Sequence, residues 1–232
     1  MIKAVTFDCA QTLIGVDWKP AALAVRCAEL AGFSFDKLGA AGTYDRLLRA
    51  SWAEFQDLNL TRDCTQTDAF WMRLTETWAD QCGFPAGSAQ SIVDIAEQEL
   101  YGPRSSVFSL YDDVVPCLDQ LQSAGLQMAV VSNWDISLHR TLRSFGLSDY
   151  FETVVASMEI GIEKPDERIF RAALEKLGVL PTEALHVGDN PLDDYRGARG
   201  AGMDAVVIDR QTNSTSRVFL KSLSDLAERL EI

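Results

Sequence analysis

Histidine is scarce in this sequence, and its cysteines form no metal-binding or disulfide pattern. Two of the 232 residues are histidines and five are cysteines, with no Cys-x-x-Cys spacing among them. Structural zinc sites need closely spaced Cys and His ligands, and disulfide frameworks need paired cysteines. We therefore expect reduced thiols and no zinc. We interpret His139 as a surface residue and His186 as a core residue.

The sequence also lacks runs of basic residues and long apolar runs. Asp and Glu number 34 against 21 Lys and Arg, which gives a formal net charge of -13. Proteins bind nucleic-acid phosphates with clustered Lys and Arg, so we expect no nucleic-acid partner. A helix that spans a bilayer needs roughly 20 consecutive apolar residues, and a secretory leader needs a shorter apolar run. We expect neither, and we predict a cytoplasmic protein without a membrane partner.

From about residue 105 onward, short β-branched runs alternate with amphipathic helical stretches. The predicted strands are Ala4–Phe7, Gln127–Val131, Thr153–Ala156, Ala184–Val187 and Ala205–Ile208. The predicted helices are Asp112–Ser123, Ile136–Phe145, Asp166–Leu177, Asp193–Ala201 and Phe219–Leu230. This alternation is typical of a parallel sheet covered by helices on both faces. The sequence therefore predicts a doubly wound α/β domain.

The region between about Val16 and Tyr101 breaks this alternation, because it has no convincing strand. Four helical stretches are predicted there, at Pro20–Ala31, Asp36–Asn59, Asp68–Cys82 and Ser88–Tyr101. Turn-forming residues flank the region, at Gly15 and near Gly102. We therefore predict an α/β core formed by residues 1–15 and 105–232, with a helical domain inserted at residues 16–104.

Polar side chains follow several of the predicted strands. Asp8 and Ser132 come directly after apolar strands, Asp189 follows another, and Lys164 lies in the connection after Thr153–Ala156. In an open α/β sheet, ligands bind at the carboxyl ends of the strands. We therefore expect these side chains to converge in one site, although they are far apart in the sequence.

The order of these segments, with a helical insertion after the first strand, resembles the haloacid dehalogenase superfamily. It is similar to the subfamily with a small helical cap between the first and second motifs. Four segments carry the resemblance: Phe7-Asp8-Cys9-Ala10-Gln11-Thr12-Leu13, Ser132-Asn133, Lys164-Pro165 and Gly188-Asp189-Asn190-Pro191-Leu192-Asp193-Asp194. The resemblance covers essentially the whole chain, and it implies a Rossmann-like core, a cap domain and a hydrolase.

The resemblance also implies roles for single residues. Asp8 would be the catalytic nucleophile, which forms an aspartyl intermediate with the substrate. Lys164 would be a second catalytic residue, whose charge holds the nucleophile and the phosphoryl oxygens together. Substrate contacts are implied for three polar residues, Thr12, Ser132 and Asn133. Trp134 follows the second motif, and it either lines the substrate pocket or packs beneath the cap.

A metal site is implied by the acidic residues of the fourth motif. Asp189 matches the metal ligand, with Asp194 or its neighbour Asp193 as the outer acidic partner. Asp8, Asp189 and Asp194 put three negative charges in one cleft, and only Lys164 opposes them, so they would repel a phosphate ester. A divalent cation restores neutrality, and oxygen ligands suit Mg²⁺ better than a softer metal. We therefore expect a Mg²⁺ cofactor.

Ala10 is where the sequence departs from the phosphatases of this superfamily, which have an aspartate two residues after the nucleophile. That aspartate protonates the leaving group and later activates water, and such catalysis contributes roughly 10²–10⁴-fold to the rate. The backbone carbonyl of Ala10 can still be a metal ligand, whatever the side chain. We therefore expect a metal site that includes Ala10 but lacks the usual proton donor.

The leading hypothesis is a Mg²⁺-dependent phosphatase that acts on a small phosphorylated metabolite through an aspartyl-phosphate at Asp8. Because Ala10 supplies no acid, one alternative is a binding or regulatory protein that keeps the metal site without efficient turnover. A 2-haloacid dehalogenase-type hydrolase is a further alternative. Such enzymes need no metal and lack the acidic pair that this chain retains at Asp189 and Asp194.

Overall fold

The chain divides into two compact units. The structure is a computed structural model, and it describes residues 1–211 and 218–232. One unit consists of Met1–Val16 and Ser109–Ile232, and the other is the inserted segment Asp17–Phe108. Among the helices in these described ranges, none is long and apolar enough to cross a membrane.

Within the described residues, the main sheet of the first unit consists of β1 (Ala4–Phe7), β4 (Gln127–Ser132), β5 (Thr153–Ala156), β6 (Ala184–Gly188), β7 (Asp204–Ile208) and β8 (Phe219–Leu220). These six strands are parallel and lie in the order β5-β4-β1-β6-β7-β8. Two short strands that the sequence analysis did not predict, β2 (Ile14–Val16) and β3 (Phe108–Leu110), form a separate two-stranded sheet. The predicted α/β fold class is confirmed.

The helices are divided between the two units. The inserted unit contains α1 (Pro20–Leu30), α2 (Lys37–Leu60), α3 (Cys64–Gln81) and α4 (Ser88–Tyr101). The first unit contains α5 (Val114–Ser123), α6 (Leu138–Ser144), α7 (Ser157–Ile160), α8 (Glu167–Leu177), α9 (Gly197–Gly200) and α10 (Leu226–Leu230). A wider, π-helical turn at Pro191–Arg196 leads directly into α9.

Helix α8 illustrates how the sequence specifies a core element of the first unit. Asp166 begins the helix, because its carboxylate accepts a hydrogen bond from the Arg168 amide at 2.9 Å. Gly178 ends it with a φ of 68°, a left-handed conformation that favours glycine. Between these ends, Ile169 and Phe170 are fully buried in the cluster that covers one face of the sheet. The apolar stripe of the helix therefore fixes its packing.

The C-terminal segment is where the predicted secondary structure is wrong. The sequence pattern predicts one helix over Phe219–Leu230, whereas the structure has β8, a short 3₁₀ turn and then α10. The backbone amide of Val207 donates a hydrogen bond to the carbonyl of Val218 at 2.7 Å, so the segment begins as an edge strand. The Ser222 hydroxyl then accepts a hydrogen bond from the Ser224 amide, which starts the helical turns only beyond Ser222. Pairing with the sheet overrides the local helical pattern.

The segment Gly102–Ser106, which contains the turn-forming residues near Gly102, lies in the helical unit. The Ser105 hydroxyl donates a hydrogen bond to the Glu99 carbonyl at 2.8 Å, and the Ser106 amide donates to the same carbonyl at 3.0 Å. These bonds attach the segment to the last turn of α4. The unit consequently extends to Phe108.

Trp78 is at the centre of the helical unit. Its side chain is fully buried, and its Nε1 donates a hydrogen bond to the Ala40 carbonyl at 2.8 Å. Three aromatic rings contact it edge to face, those of Phe35, Tyr44 and Phe84. Because aromatic side chains bury large areas, this cluster supplies much of the packing that holds α2 and α3 together.

We expect Trp78→Phe to lower the free energy of unfolding by about 1–3 kcal/mol, because it leaves a cavity and removes the hydrogen bond to Ala40. Trp52→Phe is the matched control, since Trp52 is 36% exposed. The control should change the free energy of unfolding by at most about 0.5 kcal/mol. Urea unfolding followed by far-UV circular dichroism measures both variants, and equal losses would contradict the assignment of Trp78 to the core.

Candidate active site

The carboxyl ends of three strands bring most of the predicted site residues together. Asp8 directly follows β1, Ser132 is the last residue of β4, and Asp189 directly follows β6. Lys164 lies in the connection between α7 and α8. Because β1 lies between β4 and β6 and all three strands are parallel, these ends meet at one edge of the sheet.

Asp8 is buried, with 5% of its surface exposed, and its two carboxylate oxygens differ in their hydrogen bonds. Oδ1 accepts hydrogen bonds from the Ser132 hydroxyl at 2.9 Å and from Lys164 Nζ at 2.6 Å. Oδ2 has no hydrogen-bond partner among the residues that the structure describes. Burial raises the pKa of Asp8, and Asp194 adds to this effect, whereas Lys164 opposes it.

Lys164 connects two of the acidic side chains. Its ammonium group is almost fully buried and donates hydrogen bonds of 2.6 Å to Asp8 Oδ1 and to Asp194 Oδ1. Burial works against the charged ammonium group, but the two carboxylates outweigh it and raise the pKa of Lys164. Lys164 is therefore held as a cation at a fixed distance from Asp8.

Asp194 receives hydrogen bonds at both carboxylate oxygens. In addition to Lys164, His186 Nε2 lies 3.1 Å from Oδ1, and the Asn190 amide donates to Oδ2 at 2.9 Å. Burial opposes ionisation, but the hydrogen bond from His186 and the charge of Lys164 hold the pKa of Asp194 well below its usual range. The backbone at Gly188 makes room for this side chain, because a Cβ there would lie only 2.1 Å from Asp194 Cγ.

The structure distinguishes Asp194 from its neighbour Asp193. The Tyr195 amide donates to the Asn190 carbonyl five residues earlier, at 3.3 Å, which makes this turn wider than an α-helical one. Asp194 is 1% exposed and faces the other site residues. Asp193 is partly exposed and accepts a hydrogen bond from Asn190 Nδ2 at 3.0 Å instead. Asp194 is therefore the acid that belongs to the cluster.

Three carboxylates form a possible metal site. One oxygen each of Asp8, Asp189 and Asp194 lies within 4.8 Å of the other two. Burial raises the pKa of Asp189 to about 6, and repulsion by the charges of Asp8 and Asp194 adds to this effect. Clustered oxygen ligands and an excess of negative charge fit a hard divalent cation such as Mg²⁺. Carboxylate oxygens are poor ligands for a soft metal, and their negative charge repels an anion that binds without a cation.

The turn after Asp8 has a fixed backbone. Ala10 is partly exposed and its backbone bridges to Ile14, and the Gln11 amide donates a hydrogen bond to the Ile14 carbonyl at 2.7 Å. Gln11 has a φ of 57°, which is unusual for a residue with a side chain. The backbone of Ala10 is therefore well defined, and its role as a carbonyl ligand stays a prediction.

Asn133 binds the backbone of Lys164 through its side chain, and its predicted contact with substrate stays a prediction. Its Oδ1 accepts a hydrogen bond from the Lys164 backbone amide at 2.7 Å, and its Nδ2 donates to the Lys164 carbonyl at 3.1 Å. Both ends of the side-chain amide are thus used to hold the backbone that carries the lysine. In this structure, Asn133 positions Lys164.

Thr12 lies in the same turn and is fully buried. Its hydroxyl has no hydrogen-bond partner among the described residues. Its carbonyl accepts a hydrogen bond from Arg210 Nη2 at 2.7 Å, and Arg210 also pairs with Asp113 at 2.8 Å. These bonds attach the turn to the segment after β7. The predicted contact between the Thr12 hydroxyl and substrate stays a prediction.

Trp134 is half-buried beside the second motif. Its Nε1 donates a hydrogen bond to the Ser137 hydroxyl at 3.1 Å, and its carbonyl accepts one from the Met158 amide at 3.1 Å. These bonds fix the tryptophan against the first turn of α6 and the start of α7. Its predicted role in lining the substrate pocket stays a prediction.

The two histidines have different surroundings. His139 is partly exposed, and its Nε2 lies 2.5 Å from Glu159 Oε1. His186 is fully buried, as interpreted from the sequence, but it contacts Asp194 and so adjoins the site. This contact was not predicted from the sequence. Strand alternation could have indicated it, because His186 lies two residues before Gly188 and therefore on the same face of β6 as Gly188.

The sequence pattern of one known family extends over most of this chain. A family described as haloacid dehalogenase-like hydrolase matches residues 2–202. The chain belongs to the haloacid dehalogenase-like hydrolases. It is therefore a hydrolase, and the resemblance inferred from the four motifs is confirmed.

Individual members of the family are similar to this chain over long stretches. Haloacid dehalogenase-like hydrolase domain-containing protein 3 of Mus musculus is 30% identical over 241 residues, which cover 100% of this chain and 94% of that protein. A phosphoserine phosphatase of Thermus thermophilus is 36% identical over 70% of this chain and 64% of its own length. The crystal structure of a 2-haloacid dehalogenase from Pseudomonas syringae matches 100% of this chain and 99% of that chain, with a TM-score of 0.64 and 26% identity.

Proposed function

We propose that this protein is a Mg²⁺-dependent phosphatase that hydrolyses a small phosphorylated metabolite through an aspartyl-phosphate at Asp8. The observation that carries this proposal is the single ammonium group of Lys164 shared between Asp8 and Asp194, beside the carboxylate of Asp189. We further propose that the helical unit is the cap domain and that the protein is cytoplasmic.

In the proposed reaction, Asp8 Oδ2 attacks the phosphorus of the ester. A bond forms between Asp8 and phosphorus, and the bond to the leaving oxygen breaks, with its electron pair remaining on that oxygen. Water then attacks the phosphorus of the aspartyl-phosphate, and the bond between phosphorus and the Asp8 oxygen breaks with its electron pair on Asp8. This step restores the Asp8 carboxylate and releases inorganic phosphate, which carries the hydrogens of the water. Ser132 and Lys164 orient Asp8 through its other oxygen, and their hydrogen bonds keep Oδ2 directed away from them.

The carboxylate cluster favours phosphoryl transfer over dehalogenation. Asp8 and Asp189 would hold Mg²⁺ with the carbonyl of Ala10, and Asp194 would be the outer acid, because three donors already occupy it. When bound, Mg²⁺ offsets the charge of these acids and stabilises charge on the phosphoryl oxygens. A haloacid needs no such cation. The phosphoserine phosphatase and a glyceraldehyde 3-phosphate phosphatase of Methanopyrus kandleri, 45% identical over 101 residues, also support a phosphatase.

Ala10 favours a second candidate function. Because its methyl group can neither donate nor accept a proton, the protein could keep the site and act as a binding or regulatory protein without efficient turnover. This candidate predicts that Mg²⁺ and phosphorylated ligands bind but that no phosphate is released. The screen described next separates the two candidates.

We expect turnover to depend on the leaving group, because the methyl side chain of Ala10 supplies no acid. Aryl and acyl phosphates, whose leaving groups depart without protonation, should be hydrolysed at least about 10²-fold faster than alkyl phosphates. Removal of Mg²⁺ with a chelator should abolish phosphate release from all of them.

A phosphate-release screen across leaving groups of graded pKa, with and without Mg²⁺, measures both effects. Equal rates on good and poor leaving groups would contradict the missing-acid interpretation. Phosphate release that persists in chelator would contradict the metal requirement, and halide release from a 2-haloacid under those conditions would favour the dehalogenase instead.

A further inference from the structure

His186 is a fully buried histidine with both ring nitrogens in hydrogen-bond contact. Nε2 lies 3.1 Å from Asp194 Oδ1, and Nδ1 lies 2.8 Å from the Thr6 hydroxyl. The ring of Phe170 meets the imidazole edge to face, with 5.0 Å between the ring centroids. The imidazole is thus confined between β1, the π-helical turn and α8, in a plane that these contacts fix.

The hydrogen bonds determine which nitrogen carries the proton. The Asp194 carboxylate, which is paired with Lys164, can only accept, so His186 Nε2 must donate to it. Thr6 is fully buried. Among the described residues, His186 Nδ1 is the hydrogen-bond partner of its hydroxyl, and it is the acceptor for the hydroxyl proton. We therefore assign the Thr6 hydroxyl as the donor to Nδ1 and Nε2 as the donor to Asp194 Oδ1.

We propose that His186 is a positioning residue, which receives the Thr6 hydroxyl proton at Nδ1 and directs Nε2–H at Asp194 to hold that carboxylate in place. The proposal rests on the proposed function, because the held carboxylate is the one that orients Lys164 toward Asp8.

Three donors from separate parts of the fold fix Asp194. Lys164 and His186 share Oδ1, and the Asn190 amide takes Oδ2. Without the donor at His186, Oδ1 keeps only the lysine and Oδ2 only the Asn190 amide, so the carboxylate is held less firmly against rotation about its last torsion. Asp194 would then no longer hold the ammonium group of Lys164 in one position, and the distance between Lys164 and Asp8 would vary more.

The first test uses the unsubstituted protein and needs no turnover. Two histidines are present, so their side-chain nitrogens can be assigned in ¹⁵N-labelled protein by comparison with His139→Gln. In metal-free protein at neutral pH, we expect long-range ¹H–¹⁵N spectra to show the hydrogen of His186 on Nε2 and an unprotonated Nδ1. A His186 ring without a hydrogen on Nε2 would overturn the proposal, because Nε2 could then not donate to Asp194.

The second test compares His186→Gln with His186→Asn. A glutamine amide can reach the position of Nε2 and donate to Asp194, whereas an asparagine amide reaches only the position of Nδ1. Loss of a hydrogen bond to a group in or beside a metal site lowers metal affinity or activity by roughly 10–100-fold. We therefore expect His186→Asn to weaken Mg²⁺ binding and to lower kcat by about that factor, with little change in KM. His186→Gln should restore most of the loss.

Calorimetric titration with Mg²⁺ and steady-state kinetics provide separate readouts, and thermal unfolding reports whether both variants are folded. Equal losses in two equally stable variants would overturn the positioning role. If the unsubstituted protein hydrolyses no phosphate ester, the proposed function fails. The spectra and the Mg²⁺ titrations then still decide whether His186 holds Asp194.

Discussion

Asp8→Asn abolishes the turnover of every phosphate ester that the unsubstituted protein hydrolyses, and we expect a loss of about 10⁴-fold or more. The amide is nearly the same size as the carboxylate, but it is a poor nucleophile and carries no charge to pair with Lys164. The measurement is phosphate release with excess enzyme, together with mass spectrometry of acid-quenched protein for phosphate bound at Asp8.

Asp149→Asn is the matched control for this experiment. It makes the same chemical change at an exposed aspartate of the same structural unit, outside the site. The control should leave turnover unchanged. If Asp8→Asn retains a rate comparable to the control, Asp8 is not the nucleophile, and the proposed aspartyl-phosphate must be abandoned.

Ala10→Asp raises the turnover of alkyl phosphates by about 10²–10⁴-fold, because it supplies a carboxyl group where the chain has a methyl group. Such a gain corresponds to roughly 3–5 kcal/mol of activation free energy. Ala10 is partly exposed, and the turn that follows is fixed by the backbone hydrogen bond between Gln11 and Ile14, so an aspartate can be introduced without changing the turn.

Ala10→Asn is the matched control, because asparagine has the size of aspartate but cannot transfer a proton. It should leave the turnover of alkyl phosphates near the level of the unsubstituted protein. Comparison of kcat/KM for alkyl and aryl phosphates in both variants measures the effect. A folded Ala10→Asp variant that gains no more than Ala10→Asn would contradict the missing-acid interpretation and favour the binding or regulatory candidate.

The sequence predicted most of the fold because buried strands and amphipathic helices leave periodic patterns. Strands Ala4–Phe7 and Thr153–Ala156 were predicted with the bounds that the structure has. The helix predicted over Phe219–Leu230 was wrong, because the start of this segment pairs with the edge of the sheet. Pairing with distant residues leaves no local pattern in the sequence. The short strands β2 and β3 were missed for the same reason.

The convergence of the site also followed from the sequence. Asp8, Ser132 and Asp189 each end or follow a strand, and parallel strands place their carboxyl ends at one edge of the sheet. Lys164 was identified through its motif, which implies a contact with the nucleophile; in the structure it contacts Asp8 and also Asp194. These positions depend on chain order and strand direction, both of which the sequence contains.

Only the tertiary structure decided which atoms meet. The choice of Asp194 over Asp193 depends on a π-helical turn, whose five-residue spacing does not follow the usual helical period. The use of Asn133 to hold the Lys164 backbone, and the contact of His186 with Asp194, join residues that are 31 and 8 positions apart. Side-chain hydrogen bonds of this kind depend on distances set by packing. The sequence by itself therefore determined the family and the residues at the strand ends, whereas packing decided which of them hold the nucleophile.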